Sequence, residues 1–471
     1  MYDPKSLKAE EFIDHEEILA SLAYADEHKD DLPLIDEILE KAMLRKGLSH
    51  RDASVLLACE TPEKVQEIYA LAEQIKKDFY GNRIVMFAPL YLSNYCVNGC
   101  TYCPYHAINK HIPRKKLTQE EIRAEVIALQ DQGHKRLALE AGEDPIHNPI
   151  EYILESIQTI YSIKHKNGAI RRVNVNIAAT TVENYRKLHD AGIGTYILFQ
   201  ETYHKESYEQ LHPWGPKHDY AYHTEAMDRA MEGGIDDVGL GVLFGLDKYR
   251  YEFAGILMHA EHLEAVHGVG PHTISVPRIC PADDIDPSAF SNAISDDTFA
   301  KIVACIRIAV PYTGMIVSTR ESQRCRERVL HLGISQISGG SRTSVGGYTE
   351  EERPEDTVQF DISDRRSLDE VVCWLMEMGY VPSFCTACYR EGRTGDRFMS
   401  LCKSGQIQNC CLPNALMTLK EYLQDYASAK TRTLGDTMIQ SQLQDIPNEK
   451  VRKIVEERLV KIAGGERDFR F

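Results

Sequence analysis

The apolar positions of this chain change rhythm near residue 82. Before that point, "LPLIDEILEKAM" and "TPEKVQEIYALAEQIKKDFYG" carry apolar residues at helical intervals, with Val65, Ile68, Leu71, Ala72, Ile75 and Phe79 recurring on one face of the second. Thr61 as N-cap, Pro62 at the first helical position and Gly81 just past the end frame that helix. Beyond it come short β-rich runs: "RIVMFAPLYL" (83–92), "RLALEAG" (136–142), "RVNVNIAA" (172–179), "TYILFQET" (195–202), "DDVGLGVLFG" (236–245), "TISVPRI" (273–279), "TGMIVST" (313–319) and "SQISGG" (335–340). Helical stretches such as "TQEEIRAEVIALQDQG", "TVENYRKLHDAG", "EAMDRAMEGG" and "DTFAKIVACIRIA" separate them, several ending in Gly. Eight strands, each followed by a helix, predict an α/β fold, a (β/α)8 TIM-type barrel with functional residues at the C-terminal ends of its strands. A doubly wound open sheet would give a similar alternation. The expected division is a helical segment over 1–81, the barrel over 82–363 and a C-terminal extension over 364–471.

With 471 residues, 43% of them hydrophobic, the chain can bury a sizeable core. The net charge of -17 argues against nucleic acid or an anionic membrane surface as a partner, since both require a basic face. No apolar run approaches the length of a membrane span, and the start "MYDPKSLKAEEFIDHEE" is acidic and polar, so a soluble, cytoplasmic protein is expected. The 13 cysteines are an odd number, which favours metal or redox chemistry over a disulfide framework. Cys59, Cys280, Cys305, Cys325 and Cys373 read as small buried hydrophobes.

Directly after the first strand, "NYCVNGCTYCPYH" spaces Cys96, Cys100 and Cys103 as C-x3-C-x2-C. Zinc ordinarily takes four closed ligands, whereas three thiolates on a cubane leave one iron open to a small molecule. On spacing and placement together, the segment resembles the radical S-adenosylmethionine (SAM) superfamily. The resemblance implies a 4Fe-4S cluster on the three cysteines, with SAM bound to the open iron and cleaved to a 5'-deoxyadenosyl radical. It places Tyr102 beside adenine, although such an aromatic is often mere packing. "EAGEDP" stands in the position of the family's glycine-glycine-glutamate motif, so Ala141, Gly142 and Glu143 are expected to receive the SAM ammonium, with Ala replacing the first glycine. Glu201 in "FQET" is a further candidate for SAM, its plain alternative being a solvated loop acid. Gly239, Gly241 and Gly245 would suit either a flat ligand or a bulge. His223 and Arg229 lie near the position at which some relatives carry an arginine for the SAM carboxylate.

A second group, "SFCTACYREGRTGDRFMSLCKSGQIQNCCLPNALMT", contains Cys385 and Cys388, with Cys411 following 22 residues on. Zinc stays open here, because Cys402 or Cys410 could complete four thiolates. Together with the barrel, C-x2-C-x22-C resembles the HydG family of FeFe-hydrogenase maturases, which are tyrosine lyases. The resemblance runs through nearly the whole chain. It implies an auxiliary 4Fe-4S cluster on Cys385, Cys388 and Cys411 with a fifth, labile iron, and His272 in "GVGPHTISVPRI" is the candidate histidine for that iron. A lone histidine beside proline is otherwise structural; as a ligand it would need a partner on its other ring nitrogen. For the tyrosine substrate, "GMIVSTRESQR" offers Ser318, Thr319, Arg320 and Arg324, and "SGGSRTSVGGY" offers Ser341, Arg342, Thr343 and Ser344. An arginine fork captures a carboxylate bidentately, and Arg320, Ser318 and Ser341 are the expected catalytic set.

The chemistry implied is cleavage of the Cα–Cβ bond of L-tyrosine to p-cresol and dehydroglycine. Carbon monoxide and cyanide would then form for assembly of the FeFe-hydrogenase active site. Free cysteine, an electron donor such as flavodoxin or ferredoxin, and other hydrogenase maturation proteins are the implied partners. Two rivals remain. One is the 2-iminoacetate synthase of thiazole (thiamine) biosynthesis, which performs the same first cleavage but lacks the C-terminal trio; the other is a non-catalytic iron-sulfur scaffold.

Overall fold

The computed structural model describes residues 1–349 and 358–471. Eight parallel strands close into a barrel: β1 (Arg83–Ser93), β2 (Arg136–Ala141), β3 (Arg172–Asn176), β4 (Tyr196–Glu201), β5 (Val238–Val242), β6 (Thr273–Ser275), β7 (Gly314–Val317) and β8 (Gln336–Ser338). Closure is the pairing of β8 with β1, Gln336–Ser338 against Val85–Phe87, which excludes the open doubly wound alternative. All eight lie where the alternation placed them. Several helices between them start on side-chain caps, among them Thr118, Thr181, Ser295 and Ser322, each accepting a backbone N–H.

Side chains alternate across each strand. On the outer face Leu137, Leu139, Val173, Val175 and Ile337 are fully buried against the surrounding helices. On the inner face Ala138 and Glu140, Asn174 and Asn176, and Gln336 and Ser338 line a cavity. Small and polar residues therefore occupy positions that bulky branched ones fill in a packed barrel, and the lumen stays hollow.

The C-terminal segment does not stand apart from this sheet. β9 (Val381–Ser383) runs parallel to β1, Arg83–Val85 against Val381–Ser383. Val85 also pairs with Gln336, so Ser383 occupies its other edge, the edge along which Ala88–Ser93 pair with β2. β9 is thus wedged between β1 and β2 at the N-terminal end of the barrel. The alternation along the sequence did not announce this three-residue strand. The N-terminal helices pack on the barrel wall, where His50 bridges Glu17 and Glu261 at 3.1 and 2.8 Å, and all three segments share one continuous core. Among the described residues no helix is long and apolar enough to cross a membrane.

Between β8 and β9, Asp364 accepts hydrogen bonds from the fully buried Arg326 and, at 2.6 Å, from Arg366. Arg326 donates in turn to the Ser338 carbonyl at 2.6 Å, so this pair ties the end of the barrel to the C-terminal segment. Burial works against the Asp364 carboxylate, yet the two arginines hold its pKa below the usual range, so its contribution is complete above the ordinary carboxylate pKa and lost as pH falls through the lowered one. Asp364→Asn leaves Arg326 buried beside a neutral amide and is expected to cost about 3–5 kcal/mol, read as a lower Tm at neutral pH.

Candidate active site: two cysteine trios at opposite ends of one lumen

Cys96, Cys100 and Cys103 sit on the loop leaving the C-terminal end of β1 and line the upper chamber of the lumen. The loop is pinned to the β2 end by Val97 N–H donating to the Glu143 carbonyl at 2.8 Å and by Asn98 donating to the Glu143 carboxylate at 2.6 Å. At Gly142 a Cβ would lie 2.3 Å from the Tyr95 carbonyl oxygen and 3.1 Å from the Cys96 Cβ, so only glycine lets the loop pass. Glu201 ends β4 with φ of 68°, a left-handed value uncommon for this residue type, and Lys217 pairs with it at 2.8 Å. The Tyr102 ring walls the chamber and its hydroxyl meets His212 Nε2 at 2.7 Å. Burial pushes the Cys103 thiol up to about 12, with Cys96 adding to the effect, so without metal this sulfur holds its proton.

Higher on the same wall are Ser318, Thr319 and Arg320, from the end of β7. The Arg320 guanidinium carbon stacks 3.5 Å from the Phe360 ring centroid, and its backbone N–H donates to Ser318 Oγ at 3.3 Å. Glu140, from β2, faces the same chamber; burial pushes its carboxyl up to about 8 against the pull of Arg320 and Asn176. Ser341 is buried beside the chamber rather than on its wall, and its Oγ lacks a hydrogen-bond partner among the described residues. Arg324 is exposed on the helix Gln323–Leu332, and Arg342 donates to the Ser341 carbonyl at 3.3 Å. His223 lines the chamber but bonds the Phe199 carbonyl at 2.9 Å, and burial lowers its pKa to about 3, so it supplies no cation. Arg229 is engaged with the Thr180 carbonyl at 3.1 Å. Gly239 and Gly241 make room for Thr273 and for the Phe199 ring, and Gly241 stands opposite the register shift between Phe199 and Glu201 of β4, in line with the bulge alternative. Cys280, read as a buried hydrophobe, lines the chamber near Arg320, whereas Cys59, Cys305, Cys325 and Cys373 are buried as expected.

Cys385, Cys388 and Cys411 line a second cavity at the opposite end, on the floor of the barrel, together with His272. Cys388 shares a hydrogen bond with Cys411 and faces Arg393 and Arg83, which makes it the more acidic thiol of that pair. His272 Nδ1 lies 3.3 Å from Asp237 Oδ1, an ion-pair distance without hydrogen-bond geometry, so the carboxylate stands near the ring's other nitrogen and does not accept from it. Asp237 also accepts from the Tyr389 hydroxyl at 2.5 Å and the Gly395 N–H at 3.1 Å. Burial alone would raise the Asp237 pKa, but His272, Arg172 and Tyr389 bring it down to about 2.

Thiolates of a tetrahedral zinc site, 2.3 Å from the metal, stand about 3.8 Å apart. Neither trio brings its three sulfurs within 4.8 Å of one another among the described residues. Three thiolates are a donor set that a cubane with one open corner can take.

The profile of the Radical SAM superfamily matches residues 90–254, and that of the Biotin and Thiamin Synthesis associated domain matches residues 275–381. A crystal structure of HydG, a maturase of the FeFe-hydrogenase, is similar at 57% identity with a TM-score of 0.95, over 98% of this chain and 100% of that one. The chain belongs to the radical SAM superfamily. The HydG of Carboxydothermus hydrogenoformans is similar at 39% identity with a TM-score of 0.83, over 96% of this chain and 99% of that one. A 2-iminoacetate synthase of Salmonella typhimurium is 30% identical over 346 residues, 73% of this chain and 89% of that protein. Within the HydG-type branch that these full-length likenesses define, SAM and a 4Fe-4S cluster are the cofactors the radical SAM domain implies.

Sequence reasoning missed Asn98, Lys217, Glu140 and Asp237. Asn98, Glu140 and Asp237 lie inside the segments quoted above but at positions to which the spacing gives no role, and Lys217 lies on the turn Pro216–His218, outside them; each acquires its partners only in the closed barrel. Gly142→Ala is expected to displace the cysteine loop at a cost of about 1–3 kcal/mol and to lower the iron bound after anaerobic reconstitution, with the far-ultraviolet circular dichroism unchanged.

Proposed function

We propose that this radical SAM enzyme is a tyrosine lyase of FeFe-hydrogenase maturation. It would cleave L-tyrosine to p-cresol and dehydroglycine in the upper chamber and convert the two-carbon fragment to carbon monoxide and cyanide at the floor. The observation that carries this reading is the presence of two cysteine trios at opposite ends of one lumen, in a chain similar to HydG along its whole length.

Cys96, Cys100 and Cys103 would hold the 4Fe-4S cluster, with Gly142, Glu143, Glu201 and Tyr102 around SAM. Bound together, cluster and SAM supply a 5'-deoxyadenosyl radical able to abstract hydrogen from the substrate amine. Arg320 takes the tyrosine carboxylate, its plane held by Phe360, and Ser318 supports the backbone that presents it. Glu140 lies within electrostatic reach of Arg320, and its carboxyl, which burial raises to about 8, mostly keeps its proton at neutral pH and would donate a hydrogen bond to the bound substrate. Cys385, Cys388, Cys411 and His272 would hold the auxiliary cluster and a fifth iron, where free cysteine completes the ligand set. Asp237 would orient the imidazole through its charge, 3.3 Å from Nδ1, as carboxylates behind metal-binding histidines do. The closed wall keeps a diffusible fragment and its toxic products from solvent.

The likeness to 2-iminoacetate synthase favours a second reading in which only the first cleavage occurs. Reduced, cluster-loaded protein given SAM and tyrosine separates the two. Both produce p-cresol and 5'-deoxyadenosine, and carbon monoxide forms only in the first.

Cys96→Ala is expected to abolish SAM cleavage, whereas Cys385→Ala retains p-cresol formation and suppresses carbon monoxide; equal loss of p-cresol in both would defeat this division of labour. Asp237→Asn is expected to weaken metal binding at His272 about 10–100-fold in an iron titration of the reconstituted protein, with p-cresol yield retained.

A further inference from the structure

Three loops meet on the outside of the first cysteine trio, at the mouth of the upper chamber. Asn98 is their hub: its carbonyl accepts from the Ala107 N–H at 2.8 Å, its amide donates to Glu143, and its Oδ1 accepts from the Lys217 N–H at 3.0 Å. Asn148 pins the β2 loop to the Tyr95 carbonyl at 3.0 Å. Gly99 N–H donates to the Trp214 carbonyl at 3.1 Å, and a Cβ on Gly99 would lie 2.4 Å from the Trp214 ring. These ties gather Ile108, Ile146 and Trp214, one from each loop, around the same short segment, where they are 63, 83 and 41% exposed. Scattered singly, such residues are ordinary surface; grouped, they mark a place where a partner lands. The chemistry of the chamber gives none of the three a role.

The charge of this segment is opposite to that of the chain. From Cys96 to Gln119 the sequence holds Lys110, Arg114, Lys115 and Lys116 and no acid, in a chain of net charge -17. Lys110 is exposed, two residues from Ile108. Arg114 spends its guanidinium on the carbonyls of Asn94, Tyr105, His106 and Asn109 at 2.7, 2.8, 2.7 and 3.1 Å, and Lys116 Nζ rests 4.0 Å from the centroid of the Tyr152 ring, so these contacts cancel neither charge. Two acids from the loop after β6 reach the segment: Asp283 accepts from Asn109 at 2.9 Å, and Asp284 lies 3.4 Å from His106 Nε2. They offset part of the surplus. On the β2 loop, Glu143 is taken up by Asn98 and Asp144 by His147 at 2.8 Å.

The cysteine loop itself surfaces here: Thr101 is exposed between Cys100 and Cys103, and Cys96 and Cys103 are half-buried. An electron bound for a cluster on these cysteines crosses least protein from this side, and electron transfer weakens steeply with distance. We propose that Ile108, Lys110, Ile146 and Trp214 form the docking surface for a small acidic one-electron carrier protein, which lands over the cysteine loop and gives up one electron to the cluster, the carrier being oxidised as the cluster is reduced. The inference rests on the cluster that the radical SAM domain implies and not on the tyrosine reading. An apolar centre flanked by basic side chains suits a transient redox encounter, small in area and steered by charge.

A flavodoxin, small and acidic, is the probe, and dithionite, which needs no docking surface, is the control reductant. Binding of oxidised flavodoxin to the cluster-reconstituted protein, read by isothermal titration calorimetry, is expected to saturate at about 50 mM salt and to be at least about tenfold weaker at about 300 mM. Lys110→Glu is expected to weaken it about threefold or more, and Ile108→Asp combined with Ile146→Asp about tenfold. Formation of 5'-deoxyadenosine from SAM falls in parallel in these variants when reduced flavodoxin supplies the electron, and is unchanged when dithionite does. Affinity that ignores salt, equal affinity in the wild type and both variants, no saturable binding, or equal loss with the two reductants would overturn the docking surface. Flavodoxin-driven 5'-deoxyadenosine without p-cresol in the presence of tyrosine would overturn the lyase reading instead and leave the docking surface standing.

Discussion

An eight-stranded parallel barrel is ordinarily filled from within by branched side chains. Here many inward positions carry small or polar residues, Ala138, Asn174, Gly239, Gly241, Ser275, Gly314 and Ser338, beside a few bulky ones such as Ile197, Phe199 and Ile316. Everything distinctive in the molecule depends on that omission. The core that stabilises the barrel has moved outward, to the layer between strands and helices where Leu137, Val173 and Ile337 are fully buried. The space released is a conduit open to chemistry at both ends. Small inner residues also let neighbours lean in, as Phe199 does over Gly241 and Gln336 over Gly314, so the lumen is shaped rather than merely empty.

The two ends of the conduit are built differently. At the top, loops after β1, β2, β4 and β7 meet, and acidic groups are held by single partners: Glu143 by Asn98, Glu201 by Lys217. At the floor, β9 inserts between β1 and β2 and delivers the second trio to the N-terminal ends of the strands, a place usually devoted to stability. Buried guanidiniums dominate there. Both ends carry both signs: Glu143, Glu201, Lys217 and Arg320 at the top, and Asp237 with Arg83, Arg136 and Arg172 at the floor.

Much of this was legible in the chain. Short β-rich runs set between helical stretches located all eight barrel strands, and helical spacing located Leu32–Met43 and Pro62–Tyr80 with their ends. The spacing C-x3-C-x2-C after the first strand and C-x2-C-x22-C near the end identified both trios, because ligand spacing is a local property. The long helix Tyr249–His267 lacks a clear stripe since it is buried on nearly every side. Gly239 and Gly241 were open to two readings because a glycine's neighbours cannot be read from its own strand.

What the sequence determined by itself was therefore periodic or local: strand and helix order, capping, and the grouping of cysteines within a few residues of one another. The tertiary structure alone decided that the trios face each other from opposite mouths of one lumen, that Asp237 backs His272, and that Arg83, Arg136 and Arg172 converge on the floor. These relations join residues separated by tens to hundreds of positions, and they exist only because closure of β8 onto β1 brings the strand ends into a ring.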